Sequence, residues 1–258
     1  HMKICLAVIL YFLINSNSLN AHELWLEADK YKLKRGEKLI ANIKVGQDLV
    51  GESYPYLSQE TERLFLVSKQ GSKKLNQIDG DYPAIQQTVN YSGIKYLYYQ
   101  SRKEFLKYQD YKTFVEFTDE YDLNYDFKNK NIPNEIYQRF AKIIFNDEPN
   151  SFFKTKQNLE FEIVNQNDPY QNNLSEIQIF LKKKPFINKK LIVFFKNKNA
   201  FEKKIYQTDA NGFAKIDSSK KGLYLVSAVH LETLNLLDQI KYKADYYSRW
   251  ASLTFEKN

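Results

Sequence analysis

From Leu24 onward the chain is dominated by short segments in which apolar and polar residues alternate, broken by Gly, Asn and Asp. A period of two is the mark of half-buried strands. Residues 24–26, 39–45, 63–67 and 93–100 are the expected strands of a first module, and Lys34-Arg35-Gly36-Glu37 is a turn joining the first two as a hairpin, with Gly36 supplying a positive φ. The alternation returns at 159–164 and continues through 176–181, 190–196, 203–207, 213–216, 222–231 and 250–255, with a polar turn at Thr208-Asp209-Ala210-Asn211-Gly212. Short strands at such regular spacing predict a β-sandwich.

One stretch breaks the period. Behind Pro133-Asn134-Glu135, the residues Ile136, Phe140, Ile143 and Ile144 recur near helical spacing. They predict one amphipathic helix over 134–145, with Arg139 and Lys142 facing solvent or capping a neighbour. The expected fold class is therefore mainly β: two β-sandwich modules, 22–150 and 158–258, with one helix in the connecting region and a boundary near 151–157.

The first residues read as an address rather than as fold. Lys3 precedes an apolar run of eleven residues, Ile4 to Ile14, and a polar stretch leads to Leu19-Asn20-Ala21. That is a signal peptide with a cleavage site after Ala21, and the run is shorter than the roughly 20 residues a permanent transmembrane helix needs. His1 before Met2 reads as a cloning scar. The expected location is the periplasm or cell envelope.

Cleavage alters the chemistry available. It removes Cys5 and Met2, the single cysteine and the single methionine, so residues 22–258 hold no sulfur ligand and no intramolecular disulfide. The net charge of +7 falls by one with Lys3. Its lysines are scattered among asparagines and tyrosines, and the triplet Lys182-Lys183-Lys184 reads as a solvated loop, so no nucleic-acid partner is expected.

Two histidines remain, His22 and His230, and cleavage makes the first of them the N-terminal residue. An N-terminal histidine offers its α-amino group and its ring Nδ1 to one metal ion. A second histidine brought near would complete a three-nitrogen histidine brace. With unperturbed pKa values of about 7.7 to 8.0 for the amine and about 6.5 for the ring, a divalent metal displaces the few protons present near neutrality. Nitrogen donors without thiolate suit Cu²⁺ or Ni²⁺, with Zn²⁺ also possible. In the strand ending Tyr224-Leu225-Val226-Ser227-Ala228-Val229-His230-Leu231-Glu232, alternation puts His230 and Glu232 on one face, making Glu232 an oxygen ligand or an outer partner. The expected metal set is His22, His230 and Glu232. As a structural alternative, His230 is an ordinary strand histidine.

Other constellations are weaker. Asp119-Glu120 with Asp122, and Asp79 with Asp81 around Gly80, lack the order of a calcium loop and read as solvated turns. There is no Gly-rich phosphate loop and no Gly-x-Ser-x-Gly elbow. Tyr246-Tyr247 and Trp250 read as core or interface aromatics.

Taken together, several stretches resemble the NikM-like periplasmic family, long catalogued as a domain of unknown function. The start Ala21-His22-Glu23-Leu24-Trp25-Leu26-Glu27 is similar to that family's entry, Tyr137-Gln138-Arg139-Phe140-Ala141-Lys142 to its helix motif, and Leu159-Glu160-Phe161-Glu162-Ile163-Val164 with Asp168-Pro169 to the start of its second module. The turn at 208–212, the strand from Gly222 to His230 and the ending Asp245-Tyr246-Tyr247-Ser248-Arg249-Trp250-Ala251-Ser252-Leu253-Thr254-Phe255 also fit. Phe140 stands where the family often has Tyr, and the chain is unusually rich in Lys and Asn. The resemblance implies an immunoglobulin- or transthyretin-like second module and a role in transition-metal handling, with nickel or cobalt uptake and a membrane metal transporter as partner.

The leading expectation is a non-enzymatic periplasmic accessory protein that binds a divalent ion through His22 and His230. A copper-loaded brace acting oxidatively on polysaccharide is the enzymatic alternative. A metal-free β-sandwich interaction module is the third.

Overall fold

The computed structural model describes residues 22–123 and 131–257. The expected signal peptide, residues 1–21, lies outside them. Along the first half run β1 (Glu23–Ala28), β2 (Lys38–Gln47), β3 (Val50–Tyr54), β4 (Thr61–Ser68), β5 (Gly71–Lys74), β6 (Ile85–Thr88), β7 (Lys95–Ser101), β8 (Glu104–Lys107), α1 (Tyr111–Glu120) and β9 (Asn134–Phe145). The second half holds β10 (Phe161–Asn165), β11 (Leu174–Leu181), β12 (Lys184–Pro185), β13 (Lys190–Lys196), β14 (Phe201–Gln207), β15 (Phe213–Asp217), β16 (Gly222–Thr233), α2 (Leu236–Tyr242) and β17 (Tyr246–Lys257). The fold is mainly β, as the alternation indicates.

Nine strands form one central sheet in the order β14-β13-β16-β17-β9-β7-β4-β5, with β8 also on β9. Two four-stranded sheets cover it: β1, β2, β3 and β6 on one face, and β10, β11, β12 and β15 on the other. Strand β9 shows how. Its Ala141, Ile143 and Phe145 pack with Leu26, Leu39 and Ile43 of the first small sheet, whereas Phe140 and Ile144 pack with Phe161, Ile163, Ile177 and Ile179 of the second. Neighbouring residues of a strand point to opposite faces, so the small sheets lie on opposite sides. A third cluster joins Trp25 of β1 and Phe114 and Phe117 of α1 to Leu225, Val229 and Trp250 of β16 and β17.

The central sheet draws strands from both halves of the chain. They meet where β17 runs parallel to β9, from Tyr246 opposite Glu135 to Thr254 opposite Ile143. The linker at 151–157 connects β9 to β10 without strand structure.

Two local expectations are met closely. Strands β1 and β2 pair as a hairpin from Glu23 opposite Gly46 to Ala28 opposite Ala41, and Gly36 adopts φ +87°. In the turn before β15, Gly212 has φ +79° and its N–H reaches the Asp209 carbonyl at 3.0 Å.

The helix expected over Asn134–Phe145 is a strand, and the long central β9 at that. Both of its faces are covered, so apolar residues occur on both and the alternation that would reveal a strand is erased. Of the two residues expected to face solvent or cap a neighbour, Lys142 is buried and Arg139 is half-buried. A helix does form earlier, at Tyr111–Glu120, where Asp110 caps the first turn by accepting from the Thr113 backbone N–H at 2.8 Å.

Candidate functional site

Because β1 belongs to the first small sheet and His230 lies on the face of β16 turned toward the second, His22 and His230 are on opposite sides of the central sheet. Tyr224, Val226 and Ala228, which share His230's parity, pack in the cluster of the second small sheet. The His230 ring meets Phe186 edge-on at 5.9 Å in that same layer. Strand β1 pairs with β2 and is not a neighbour of β16. The two histidines are not brought together, and the expected brace is not formed.

His230 and Glu232 do share a face. The His230 Nε2 stands 3.6 Å from Glu232 Oε2, and Glu232 in turn lies 2.9 Å from Arg249 Nη1 and 3.5 Å from Lys182. Arg249 also binds Glu160 at 2.7 Å and covers the Tyr247 ring at 3.7 Å. Burial lowers the His230 pKa, with Glu232 opposing the shift and Arg249 assisting it. Burial would raise the Glu232 carboxyl, but Arg249 and Lys182 hold it below its usual range. Glu232 is thus engaged by two cations, and the pair forms part of a structural ion network.

His22 opens onto something different. It lines a cleft of about 880 Å³ between the β2–β3 hairpin and the central sheet, together with Glu60, Glu104, Tyr137 and Arg139. The Arg139 Nη2 donates to the His22 carbonyl at 3.2 Å, and the guanidinium lies 4.5 Å over the Tyr137 ring. The Tyr137 hydroxyl donates to Glu104 at 2.6 Å. Arg139 Nε is buried and makes no hydrogen bond among the described residues.

Burial, assisted by Arg139, lowers the His22 pKa, so the ring is neutral at neutral pH. Burial and the neighbouring Glu104 carboxylate raise Glu60, with Arg139 working against them. Four carboxylates, Asp48, Glu52, Glu60 and Glu104, line the cleft with one guanidinium, that of Arg139, and Lys203 stands 3.6 Å from Asp48. The chain as a whole carries +7, so the cleft reverses the sign of the protein around it.

The walls have their own causes. Gly46 and Gly51 face each other across the β2–β3 hairpin. A Cβ on Gly51 would stand 2.5 Å from the Val45 carbonyl oxygen and 2.7 Å from the Trp25 ring, so the hairpin lies on Trp25 only because no side chain intervenes. One residue past His22, Glu23 points inward and accepts from the Tyr121 hydroxyl at 2.8 Å, and that hydroxyl also meets Ser227 at 3.2 Å. Burial raises Glu23 to about 7, with the Tyr121 hydrogen bond opposing. The position of His22 is fixed by this anchor.

Alternation could have identified neither Glu60 nor Glu104, because β8 is four residues long and Glu60 precedes its strand. Arg139, expected on a helix surface, faces the cleft from β9. The remaining candidates behave as turns and core. Asp79 accepts from Ser58 N–H and Oγ, and Asp81 accepts from the Ile78 N–H. Glu120 pairs with Lys203 at 2.6 Å, and Trp250 stacks on Phe117 at 5.1 Å.

A family model described as "Domain of unknown function (DUF4198)" matches residues 19–232, a span that contains His22, the cleft, His230 and Glu232. The chain belongs to the DUF4198 family. No curated protein matches this DUF4198 chain. Among solved structures it is similar to a tetra-tandem repeat in the extending region of a large adhesion protein, with 9% identity over 93% of this chain and a TM-score of 0.22. It spans 50% of that structure's length. The D0-D1 domain of intimin gives 14% identity over 91% of this chain and 98% of that one, with a TM-score of 0.18. Superpositions this loose carry neither fold nor function.

Proposed function

We propose that this DUF4198 chain is an exported, non-enzymatic protein that captures a divalent transition-metal ion at His22, in the carboxylate-lined cleft, for uptake or homeostasis. The observation that carries this reading is the reversal of charge at the cleft, four carboxylates to one guanidinium and the nearby Lys203 in a chain of net charge +7, with a histidine at the same place. Cleavage after Ala21 would free the α-amine of His22, giving an amine and an imidazole nitrogen from one residue. Glu60 and Glu104, on the same cleft, are the oxygen donors available to complete the set. Cu²⁺, Ni²⁺ and Zn²⁺ all accept such a mixture of nitrogen and oxygen. The resemblance to the NikM-like family supports delivery to a membrane transporter.

The His22/His230 set does not fit a single ion, because the central sheet stands between the two residues. Among the described residues, no group of three or more His, Cys, Asp and Glu is arranged to hold a metal. That favours a second reading, a metal-free interaction module that uses the cleft for an organic partner. Mass spectrometry of the exported protein locates its N-terminus, and calorimetric titration with Cu²⁺, Ni²⁺ and Zn²⁺ separates the readings. Metal capture predicts binding that is abolished by His22→Ala, weakened by Glu60→Gln and left unchanged by His230→Ala. Titrations without heat for all three ions leave the metal-free module.

A further inference from the structure

The connection from β16 to β17 is longer than an antiparallel pair requires. Hairpins close with two to five residues, but here the chain forms the capped helix α2, Leu236–Tyr242, in which no residue is buried. Leu236, Leu237 and Ile240 are 76%, 80% and 76% exposed. The helix is nevertheless held firmly. Asn235 caps it by accepting from the Asp238 N–H, Gln239 donates a side-chain bond to the Leu234 carbonyl at 2.7 Å, and the Leu234 N–H reaches Asp245 at 2.9 Å. Below it, Leu234 and Ala244 pack with Ile136 and Tyr247 in a small core of their own. Three large aliphatic side chains are therefore displayed on a rigid support.

The surroundings state what they are displayed to. Lys241 lies in the last turn and exposed Lys243 caps the end with φ +54°. Lys103 reaches over the Tyr242 ring at 5.2 Å. Exposed Phe105 stands opposite Ile136, on the side where α2 sits. Three lysines, Lys103, Lys241 and Lys243, outnumber the carboxylates Asp238 and Asp245 around this aliphatic tip, and an apolar tip with a cationic excess matches an anionic bilayer, in which the side chains enter the acyl boundary while the ammonium groups meet phosphates. A seven-residue helix is about 10 Å long and offers far less than the roughly 800 Å² per partner of a stable protein interface.

We propose that α2 is a peripheral membrane-docking tip that binds the headgroup region of an anionic bilayer. Among the described residues no helix is long and apolar enough to cross a membrane, so the contact is superficial. The test is co-sedimentation of exported protein, its N-terminus verified, with phosphatidylcholine vesicles and with vesicles that also contain phosphatidylglycerol. The protein is expected on the anionic vesicles and to be released by salt. Leu236→Ser with Leu237→Ser, which keeps every charge, is expected to weaken binding at least about tenfold. Lys241→Gln with Lys243→Gln is expected to weaken it on anionic vesicles only. Thermal unfolding of both variants should match the unsubstituted protein, since none of the four side chains is buried. Failure to bind anionic vesicles, or equal binding by the double leucine variant, overturns the proposal. So does capture of a protein through α2 by chains that ignore vesicles.

Discussion

Replacing Glu162 by Gln tests the packing of the second small sheet on the central one at its single most exposed assumption, a buried ion pair between layers. Lys142 of β9 and Glu162 of β10 meet at 3.1 Å with side chains 2% and 1% exposed. Glu162 also accepts from the backbone N–H groups of Asn158 and Leu159 at 2.6 and 3.0 Å, which fixes the entry to β10. Gln retains an acceptor for those amides but turns an NH₂ toward the Lys142 ammonium, donor against donor. The Tyr96 and Tyr98 rings, each 5.5 Å from the ammonium, offer only a partial substitute.

Stranding one member of a buried pair costs about 3–5 kcal/mol. In a chain of this size each kcal/mol moves the melting temperature by about 2–4 °C, so Glu162→Gln is expected to melt roughly 6–20 °C lower. Burial lowers the Lys142 pKa, with Glu162 opposing. In the variant the unfolded chain therefore binds more protons than the folded one, and stability recovers as pH rises toward the ordinary lysine value. Lys142→Met with Glu162→Gln removes the stranded charge and should return to within about 1.5 kcal/mol of the starting protein. Circular dichroism melts and urea midpoints of the two variants and the unsubstituted protein decide it. A loss under about 1 kcal/mol in the single variant, or a double variant no better than the single, refutes the reasoning.

Other outcomes follow from the same structure. Glu135 is buried, takes hydrogen bonds from Tyr108 and Ser248, and is raised to about 7 by burial with both of those bonds opposing. Its stabilisation is fully present below the unfolded value of 4.5 and is lost as pH rises through 7, a drop of about 3 kcal/mol that Glu135→Gln should remove from urea midpoints measured across that window. Gly51→Ala forces a Cβ against the Val45 carbonyl and Trp25, so it is expected to destabilise by about 1–3 kcal/mol and to change Trp25 fluorescence. Tyr121→Phe leaves buried Glu23 without its hydroxyl donor and should cost about 1–3 kcal/mol by thermal melt, with metal titration reporting whether His22 has been displaced.

Most strands were legible because each has one covered and one wet face, as in β11 and β15, whose buried and exposed residues alternate. Legibility failed where a strand is covered on both sides. In β9 the helical spacing of Ile136, Phe140, Ile143 and Ile144 is coincidental, since nearly every position of the strand is buried. The partner that makes it central, β17, arrives over a hundred residues later and in parallel register, a pairing no local pattern announces. Helix α1 did carry a local signal, Asp110 before Phe114, Phe117 and Tyr121 at helical intervals. The site was legible in half. His22 stood out through scarcity and position, and Glu232 beside His230 through strand parity. That the sheet would stand between the histidines depends on which face each strand presents, which is a property of the assembled layers.

The cleft combines a fixed side and an adjustable one, and that bears on how it would select a ligand. On the fixed side, β1 is tied to the central sheet through the Thr254 hydroxyl, which donates to the Leu26 carbonyl at 2.6 Å, and through the Glu23–Tyr121–Ser227 chain. His22 leaves this anchored strand, and Arg139 holds its carbonyl. On the other side, β3 is an edge strand of alternating exposed and half-buried residues with no buried member. Donors on a rigid strand hold a ligand in defined geometry, whereas an edge strand with no buried residue yields more readily, although here the hairpin turn is anchored by buried Leu49 beside Trp25 and by Asp48, 3.6 Å from Lys203. Discrimination should therefore reside in His22 and the β4–β9 wall, and access in the outer edge of β3. If the cleft captures metal as proposed, substitutions at Val50, 69% exposed at the hairpin, would alter rates of entry and exit while leaving the choice of ion unchanged, and substitutions at His22 or Glu60 would alter the choice itself.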